Sequence, residues 1–165
     1  MAPPGVVVHE RIARWGPRLR QRFARLPIRV RQTNTPASCR EALRQAPGSA
    51  VVVELSERGA ESTLELLGQI RQADAAALAI VVAGGGLEFP EWTARERWME
   101  WIARELGAAH FALEPVPVDH LTQIVLRHLA RQAVPMGTSV SAAAREEVGI
   151  GSRRREEGHG SEGDS

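Results

Sequence analysis

The chain has 165 residues, a length that fits one domain with a modest core, and its 43% hydrophobic and 25% charged residues are ordinary for a globular protein. No apolar run is long enough to span a bilayer, and the N-terminal stretch lacks the pattern of a signal peptide, so we expect a cytoplasmic protein without a membrane partner. The single Cys39 cannot form an internal disulfide and lies among apolar helix positions, which indicates a buried, inert thiol.

All 21 basic residues are arginine, and they are unevenly distributed. Residues 1–50 contain ten arginines and two glutamates, whereas residues 51–132 contain seven arginines and twelve acidic residues. The basic stretch 11–31 could attract phosphates or an acidic partner. A solvated helix face in an arginine-rich composition explains the same pattern. Because no pattern of aromatic residues indicates base stacking, we do not expect nucleic-acid binding.

The first half of the chain predicts alternating strands and helices. Apolar or alternating runs predict strands over residues 6–8, 28–31 and 50–55. Prolines suited to a first helical turn predict helices that begin near Pro17 and Pro36.

Two of the predicted helices carry more specific expectations. Leu19, Phe23 and Leu26 fall on one face of the first helix, which predicts that this face packs on the core. The residues Ser62-Thr63-Leu64-Glu65 have the pattern of a capping box, which predicts the start of the third helix.

The second half continues the alternation. Residues 78–83 predict a fourth buried strand, which the glycines 84–86 end. A helix over residues 90–106 precedes a fifth strand over 110–113, and the last helix opens at Pro117. The glycines fit neither a dinucleotide-binding fingerprint nor a P-loop, so a turn explains them better than a nucleotide cradle does.

Five strand–helix repeats predict an α/β fold, a parallel sheet with helices on both faces and right-handed crossovers. Residues 132–165 are rich in Gly, Ser, Arg and Glu and contain few large apolar side chains. They cannot bury enough surface to offset the entropy lost on ordering, so we predict a disordered tail.

The segment GAAHFALEP, residues 107–115, closes this pattern. Together with the element order over about residues 5–131, it resembles the end of the CheY-like receiver domain, the phosphate-accepting module of two-component response regulators. The resemblance implies a flavodoxin-like (βα)5 doubly wound sheet of strand order 2-1-3-4-5, within a single domain of residues 1–131. It also implies a cis peptide bond between Glu114 and Pro115.

Ligands of such sheets bind at the carboxyl ends of the strands. In receivers, an acidic pair after the first strand holds Mg²⁺, and this chain has His9-Glu10 there. An aspartate after the third strand accepts the phosphoryl group, and Glu54 occupies that place. Receivers have a hydroxyl side chain after the fourth strand and a lysine after the fifth, which are their switch positions. This chain has Ala83 at the first of these positions and Glu114 at the second, and Pro115 follows Glu114.

Each of these departures weakens phosphoryl transfer. Glu114 repels the phosphoryl oxygens, Ala83 cannot donate a hydrogen bond to them, and the extra methylene of Glu54 moves its carboxylate out of register. The resemblance therefore implies a degenerate receiver, or pseudo-receiver, without catalytic residues.

Three interpretations of Glu54 are open. It mimics a phosphorylated acceptor, it joins His9, Glu10 and Glu114 in a divalent-metal site such as one for Mg²⁺, or it pairs with an arginine in an inactive site. The third is the simplest, and we expect no cofactor.

The fourth helix predicts a surface for a partner. Trp98, Ile102 and Leu106 form a stripe expected to face the sheet. The other large side chains of this helix do not fit that stripe, and we predict that they form the partner surface: Trp92, Met99 and Trp101. Because receivers use the face of helix 4, strand 5 and helix 5 to dimerise or dock a partner, the resemblance implies a protein partner or a homodimer there.

The resulting hypothesis is a stand-alone receiver-like domain, not an enzyme, that acts in signal transduction as a phosphorylation-independent protein-interaction module. One alternative is a small doubly wound nucleotide- or metal-binding enzyme that uses Glu10, Glu54 and the glycines 84–86. Another is an arginine-driven binder of nucleic acid or of an anionic surface, which a steep salt dependence would identify.

Overall fold

A computed structural model gives the structure of residues 2–56, 59–84 and 92–133, with side chains described from residue 97 onward in the third range. The glycines at 85 and 86, the side chain of Trp92 and nearly all of the tail predicted to be disordered lie outside the described residues.

Five strands alternate with five helices along the described chain. In order they are β1 (Val6–His9), α1 (Trp15–Phe23), β2 (Val30–Thr33), α2 (Pro36–Gln45), β3 (Ala50–Leu55), α3 (Ala60–Ala73), β4 (Leu78–Ala83), α4 (Trp92–Glu105), β5 (Ala108–Leu113) and α5 (Val118–Ala133). All neighbouring strands are parallel, and the sheet order is β2-β1-β3-β4-β5. The predicted fold class and strand order are confirmed.

The sheet is covered on both faces, which explains the unbroken apolar runs of β3 and β4. Alternate side chains of β3 enter two separate cores: Val51 and Val53 pack with α2, α3 and α4, while Ala50 and Val52 pack with α1 and α5. The strands therefore lie between two helical layers, and their carboxyl ends form one edge of the sheet.

The first helix begins earlier and ends earlier than its sequence suggests. Trp15 opens it and is 1% exposed in the core beside Leu19 and Phe23, although it was not among the predicted core residues. Leu26 is 42% exposed because the helix has already ended at Phe23, so the prediction that it joins the inner face was wrong.

The helix starts differ in how well the sequence predicts them. Thr35 caps α2 and Pro36 occupies its first turn, as helix-start chemistry requires. The capping box predicted at residues 62–65 was wrong: α3 begins at Ala60, and the Ser62 hydroxyl donates to the Gly59 carbonyl at 3.1 Å. Thr63 is buried instead and donates to the Glu54 carbonyl at 3.3 Å.

The inner face of α4 differs from the predicted one. Met99 is 7% exposed and Ala103 is 0% exposed, whereas Trp98 is 55% exposed, so the prediction that Trp98 faces the sheet was wrong. Leu106 of the same predicted stripe does pack against the core. Met99 also cannot belong to a partner surface, because it packs in the core with α3 and β4. An unbranched methionine and a small alanine let the helix lie close to the sheet, which a tryptophan at either place would prevent.

Two predictions about the turns that flank β5 are confirmed. Gly107 ends α4 with a φ of 110°, a conformation that favours glycine. The peptide bond between Glu114 and Pro115 is cis. The helix α5 continues to Ala133, two residues beyond the predicted domain boundary at 131. Within the described residues, none of the helices is long and apolar enough to cross a membrane.

Candidate functional site

The carboxyl edge of the sheet brings together the residues that the sequence nominated there. β1 ends at His9, β3 places Glu54 beside Val82 of β4, and β5 leads into Glu114 next to Ala83. The backbone N–H of Glu114 donates to the Ala83 carbonyl at 2.8 Å, which fixes the start of the β5–α5 loop.

Glu10 caps the first helix. Its side chain is buried, with the residue 2% exposed, and its Oε2 accepts from the backbone N–H of Arg14 at 2.9 Å and of Trp15 at 2.7 Å. Its Oε1 accepts from the backbone N–H of Gly16 at 2.9 Å. These are free donors of a helix N-terminus, where a negative charge is favoured. Both carboxylate oxygens are therefore already engaged.

His9 turns toward the neighbouring strand. Its Nδ1 lies 3.4 Å from the hydroxyl of Thr33 at the end of β2. Burial lowers the pKa of His9 below its ordinary value, so the ring is neutral near pH 7. The structure thus gives His9 and Glu10 structural contacts on the α1 and β2 side of the site.

Arg14 lies at the centre of the site. One of its guanidinium nitrogens donates to Oε2 of Glu114 at 2.7 Å, and the other lies 3.5 Å from Oε1 of Glu54. The two carboxylate side chains are 15% and 11% exposed, and the Arg14 side chain is 35% exposed. The hydrogen bond with Glu114 and the charges of both glutamates raise the pKa of Arg14, which keeps the guanidinium charged.

Glu54 has one further contact in the site, and Glu114 lies close to Gly84. The Oε2 of Glu54 accepts from the backbone N–H of Arg11 at 3.2 Å, so the β1–α1 loop holds both oxygens of this carboxylate. Gly84 has no side chain, and a Cβ at this position would lie 2.5 Å from Cγ of Glu114. It would lie closer still to Cβ of Glu114, at 2.4 Å, so the close approach of residue 114 to this position requires a glycine.

Known structures of the same shape identify the fold. No protein-family model and no curated protein matches the sequence. The receiver domain of the TMAO respiratory system response regulator TorR superposes with a TM-score of 0.62 and 21% identity, covering 78% of this chain and 98% of that one. This chain has the fold of a response-regulator receiver domain.

Two further receiver-type structures agree with this result. A response regulator from Thermotoga maritima gives a TM-score of 0.58 at 15% identity over 78% of this chain and 99% of its own. A response regulator protein from Burkholderia pseudomallei, solved with a phosphorylated aspartic acid, a calcium ion and citrate, gives 0.59 at 16% identity over 78% and 70%.

The interpretation of Glu54 as the partner of an arginine has direct geometric support, and the arginine is Arg14. Within the described ranges, no group of three or more His, Cys, Asp or Glu side chains has an arrangement that could hold a metal ion. The divalent-metal interpretation therefore gains no support from the geometry, since Glu10 is engaged at α1 and His9 at β2.

Sequence reasoning missed Arg14 because it appears there as one of the arginines of residues 11–31. A usable signal was present nonetheless. Glu114 replaces a lysine in the receiver pattern, so an acidic site needs a cation from elsewhere, and Arg14 lies in the strand–helix loop at the same sheet edge.

Other arginines of this stretch have contacts within the protein. Arg18 stacks on the Trp15 ring at 5.4 Å, Arg20 donates to Gln32 at 2.7 Å, and Arg22 pairs with Asp119. These contacts favour the interpretation of a structured helix surface over that of a nucleic-acid interface.

Proposed function

We propose that this chain is a receiver-type signalling module whose site does not accept a phosphoryl group and which acts by binding another protein irrespective of phosphorylation. The observation that carries the proposal is the ion pair of Arg14 with Glu114, extended to Glu54, at the position where a receiver would bind its phosphoryl group.

The charge balance of the site argues against phosphoryl transfer. Such a transfer needs cations that neutralise the phosphoryl oxygens as charge develops on them. The guanidinium of Arg14 already faces two carboxylates, so the three groups together carry a net negative charge. An incoming phosphoryl group would meet repulsion from Glu114 and no hydroxyl at Ala83.

Activation of the site by Mg²⁺ is disfavoured for a related reason. The two oxygens of Glu10 accept three backbone N–H groups of α1. Binding a cation there would require these hydrogen bonds to break, and the exposed donors would remain without a partner in a buried place. Arg14 acts as a built-in cation that makes a metal unnecessary for holding the site together.

A receiver fold whose site does not accept a phosphoryl group can still act by binding another protein. The face of α4, β5 and α5 presents large exposed apolar side chains, among them Trp101 at 60% and Leu113 at 43% exposure. Exposed tryptophans of this kind are enriched at the energetic centres of protein interfaces. No nucleophile–base pair in the described site supports an enzymatic alternative.

A thermal melt with Mg²⁺ and beryllofluoride, a phosphoryl mimic for receivers, tests the proposal. A ligand at 100 times its Kd that binds only the folded state stabilises it by about 2.7 kcal/mol, which moves Tm by several degrees. We expect no shift for this chain. A receiver domain with aspartate and lysine at the two positions is the positive control. A shift that disappears in Glu54→Ala would show that the site still binds the mimic and would overturn the proposal.

A further inference from the structure

The strand β2 forms one edge of the sheet and leaves part of its backbone open. Among the described strands it pairs only with β1. The carbonyls of Arg29 and Thr33 accept backbone N–H groups of Val6 and of the residue after β1, at 2.8 and 3.1 Å. Because the backbone groups of successive strand residues point to opposite sides, those of Val30 and Gln32 point away from the sheet.

These outward groups have no partner in another element. Within the described ranges, no helix or loop bonds the backbone of Val30 or Gln32. Val30 packs its side chain against the core below α1, and Gln32 accepts from Arg20 of α1, so neither side chain covers the strand edge. An edge with open N–H and C=O groups is a template for a further strand. The edge of β2 can therefore form ladder hydrogen bonds with an extended segment of another chain.

The surroundings of this edge are cationic. Residues 11–40 contain nine arginines and no Asp or Glu. Two of the nine are matched by acids from other elements, since Arg14 pairs with Glu114 and Arg22 pairs with Asp119. The other seven form no ion pair within the part of the chain that the structure describes. The stretch therefore keeps a positive excess after its own ion pairs are counted.

Three of the unmatched arginines flank the open edge of β2. Arg20 of α1 donates to the side chain of Gln32 at 2.7 Å, on the α1 face of the strand. Arg31 donates to Gln45 of α2 on the opposite face, and Arg29 is exposed directly before the strand begins. The partners of Arg20 and Arg31 are neutral amides, so both guanidinium charges stay uncompensated.

The acids of the adjoining elements do not cancel this charge. Glu41 of α2 accepts from Gln45 at 2.7 Å, but it is paired with Arg44. Glu10 is buried at the start of α1, where its carboxylate accepts from backbone N–H groups. One buried carboxylate against seven unpaired arginines leaves the excess in place.

We propose that the edge of β2 binds an extended acidic segment of another protein as an added strand. The backbone of the segment would pair with Val30 and Gln32. Side chains of a strand alternate between the two faces of a sheet, so its carboxylates would meet Arg20 on one face and Arg31 on the other. The inference goes beyond the proposed function, because it assigns a partner and its chemistry to the edge of the sheet opposite β5.

Other occupants fit this edge poorly. Pairing of β2 with the same strand of a second copy would bring like charges together, and charged side chains on an edge oppose such pairing. The aromatic residues of the stretch, Trp15 and Phe23, are buried, so the bases of a nucleic acid have no surface for stacking. A duplex or a bilayer would engage the arginines and leave the open backbone groups of β2 unused.

A synthetic peptide of about six residues, the usual length of a strand, with Glu and Val in alternation is the probe. Added to the full isotope-labelled chain, it should slow hydrogen exchange of the Val30 and Gln32 amides by about tenfold or more, measured by NMR. Its binding should weaken by about tenfold or more in Arg20→Glu/Arg29→Glu. The matched control is Arg127→Glu/Arg131→Glu, which makes the same charge change at two exposed arginines of α5 and should leave binding within about twofold.

The backbone contribution is tested with a second pair of variants. Gln32→Pro removes the outward N–H without removing a ladder bond to β1, a change that edge strands tolerate. Gln32→Ala removes the same side chain and keeps that N–H. Peptide binding should weaken by about fivefold or more in Gln32→Pro and stay within about twofold of the wild type in Gln32→Ala. The same peptide with every backbone nitrogen methylated keeps its carboxylates and should not bind.

Three results would overturn the proposal: no binding of the peptide, binding without slowed exchange at Val30 and Gln32, or equal binding of the methylated peptide. Binding of a DNA duplex or of phosphatidylserine vesicles that requires Arg20 and Arg29, without binding of the peptide, would assign the surface to phosphates instead. None of these results changes the beryllofluoride melt, so failure of this inference and failure of the proposed function are distinguishable.

Discussion

Removal of the Arg14 guanidinium should destabilise the protein by an amount that the site geometry bounds. The 2.7 Å contact with Glu114 is a charge-assisted hydrogen bond, a class that contributes about 1.5–3 kcal/mol. The 3.5 Å contact with Glu54 is at the limit of a hydrogen bond and adds little. Because the Arg14 side chain is 35% exposed, solvent screening reduces the sum. We expect Arg14→Ala to lower the free energy of unfolding by about 1–2 kcal/mol.

Urea denaturation of a double-mutant cycle measures this interaction. The cycle combines Arg14→Ala with Glu114→Gln, which removes the carboxylate charge and keeps the shape of the side chain. The double variant should be more stable than the sum of the two single effects predicts, by about 0.5–2 kcal/mol. Arg14→Lys is the control for charge without the forked geometry, and we expect an intermediate loss. Additive effects, or an Arg14→Ala variant as stable as the wild type, would refute the assignment of Arg14 as the cation of the site.

Three further variants or conditions test other contacts of the site. Glu10→Gln should cost about 1–3 kcal/mol of unfolding free energy in urea melts, because the amide group leaves at least one buried N–H of α1 unpaired. Gly84→Ala should cost about 1–3 kcal/mol through its clash with Cβ and Cγ of Glu114, and a smaller loss in the Glu114→Gly background, which lacks both atoms, would confirm that cause. Burial lowers the pKa of His9 below the unfolded value of 6.5, so the unfolded state binds more protons as pH falls through 6.5. The contribution of neutral His9 to the free energy of unfolding should then be fully present above pH 6.5 and decrease below it. His9→Gln should flatten the plot of stability against pH in that range. An unchanged slope would exclude His9 as a cause.

The parts of the fold that the sequence predicts well are those where one property decides the structure. The sequence predicts β3 and β4 at their observed bounds because strands covered on both faces are apolar along their whole length. Thr35 and Pro36 predict the start of α2 because an N-cap residue and a first-turn proline act on the residues next to them. The start of α3 was missed because the Thr63 hydroxyl bonds the Glu54 carbonyl, a contact that no local pattern encodes.

The burial of α4 and the cation of the site depend on contacts between distant residues. A hydrophobicity count favours Trp98 over Ala103 for the inner face, but the space between helix and sheet favours the smaller side chain. The pairing of Arg14 with Glu114 joins residues 100 positions apart, so neither residue's own neighbourhood in the sequence indicates it. The receiver pattern marks the acid at position 114 as a departure, but it does not indicate the residue that balances its charge.

The balance of charge at this edge explains how the receiver geometry can persist without a lysine after β5. An ammonium group at position 114 would repel Arg14, whereas a carboxylate there attracts it and draws the β1–α1 and β5–α5 loops together. Glu54 adds a second carboxylate to the same guanidinium and connects the end of β3 to this arrangement. Replacing Glu114 by lysine alone would therefore place two cations together and would not recreate a receiver site. On the proposed function, Arg14, Glu54 and Glu114 would have to change together to give a phosphate-accepting site, because their charges are coupled through one ion-pair cluster.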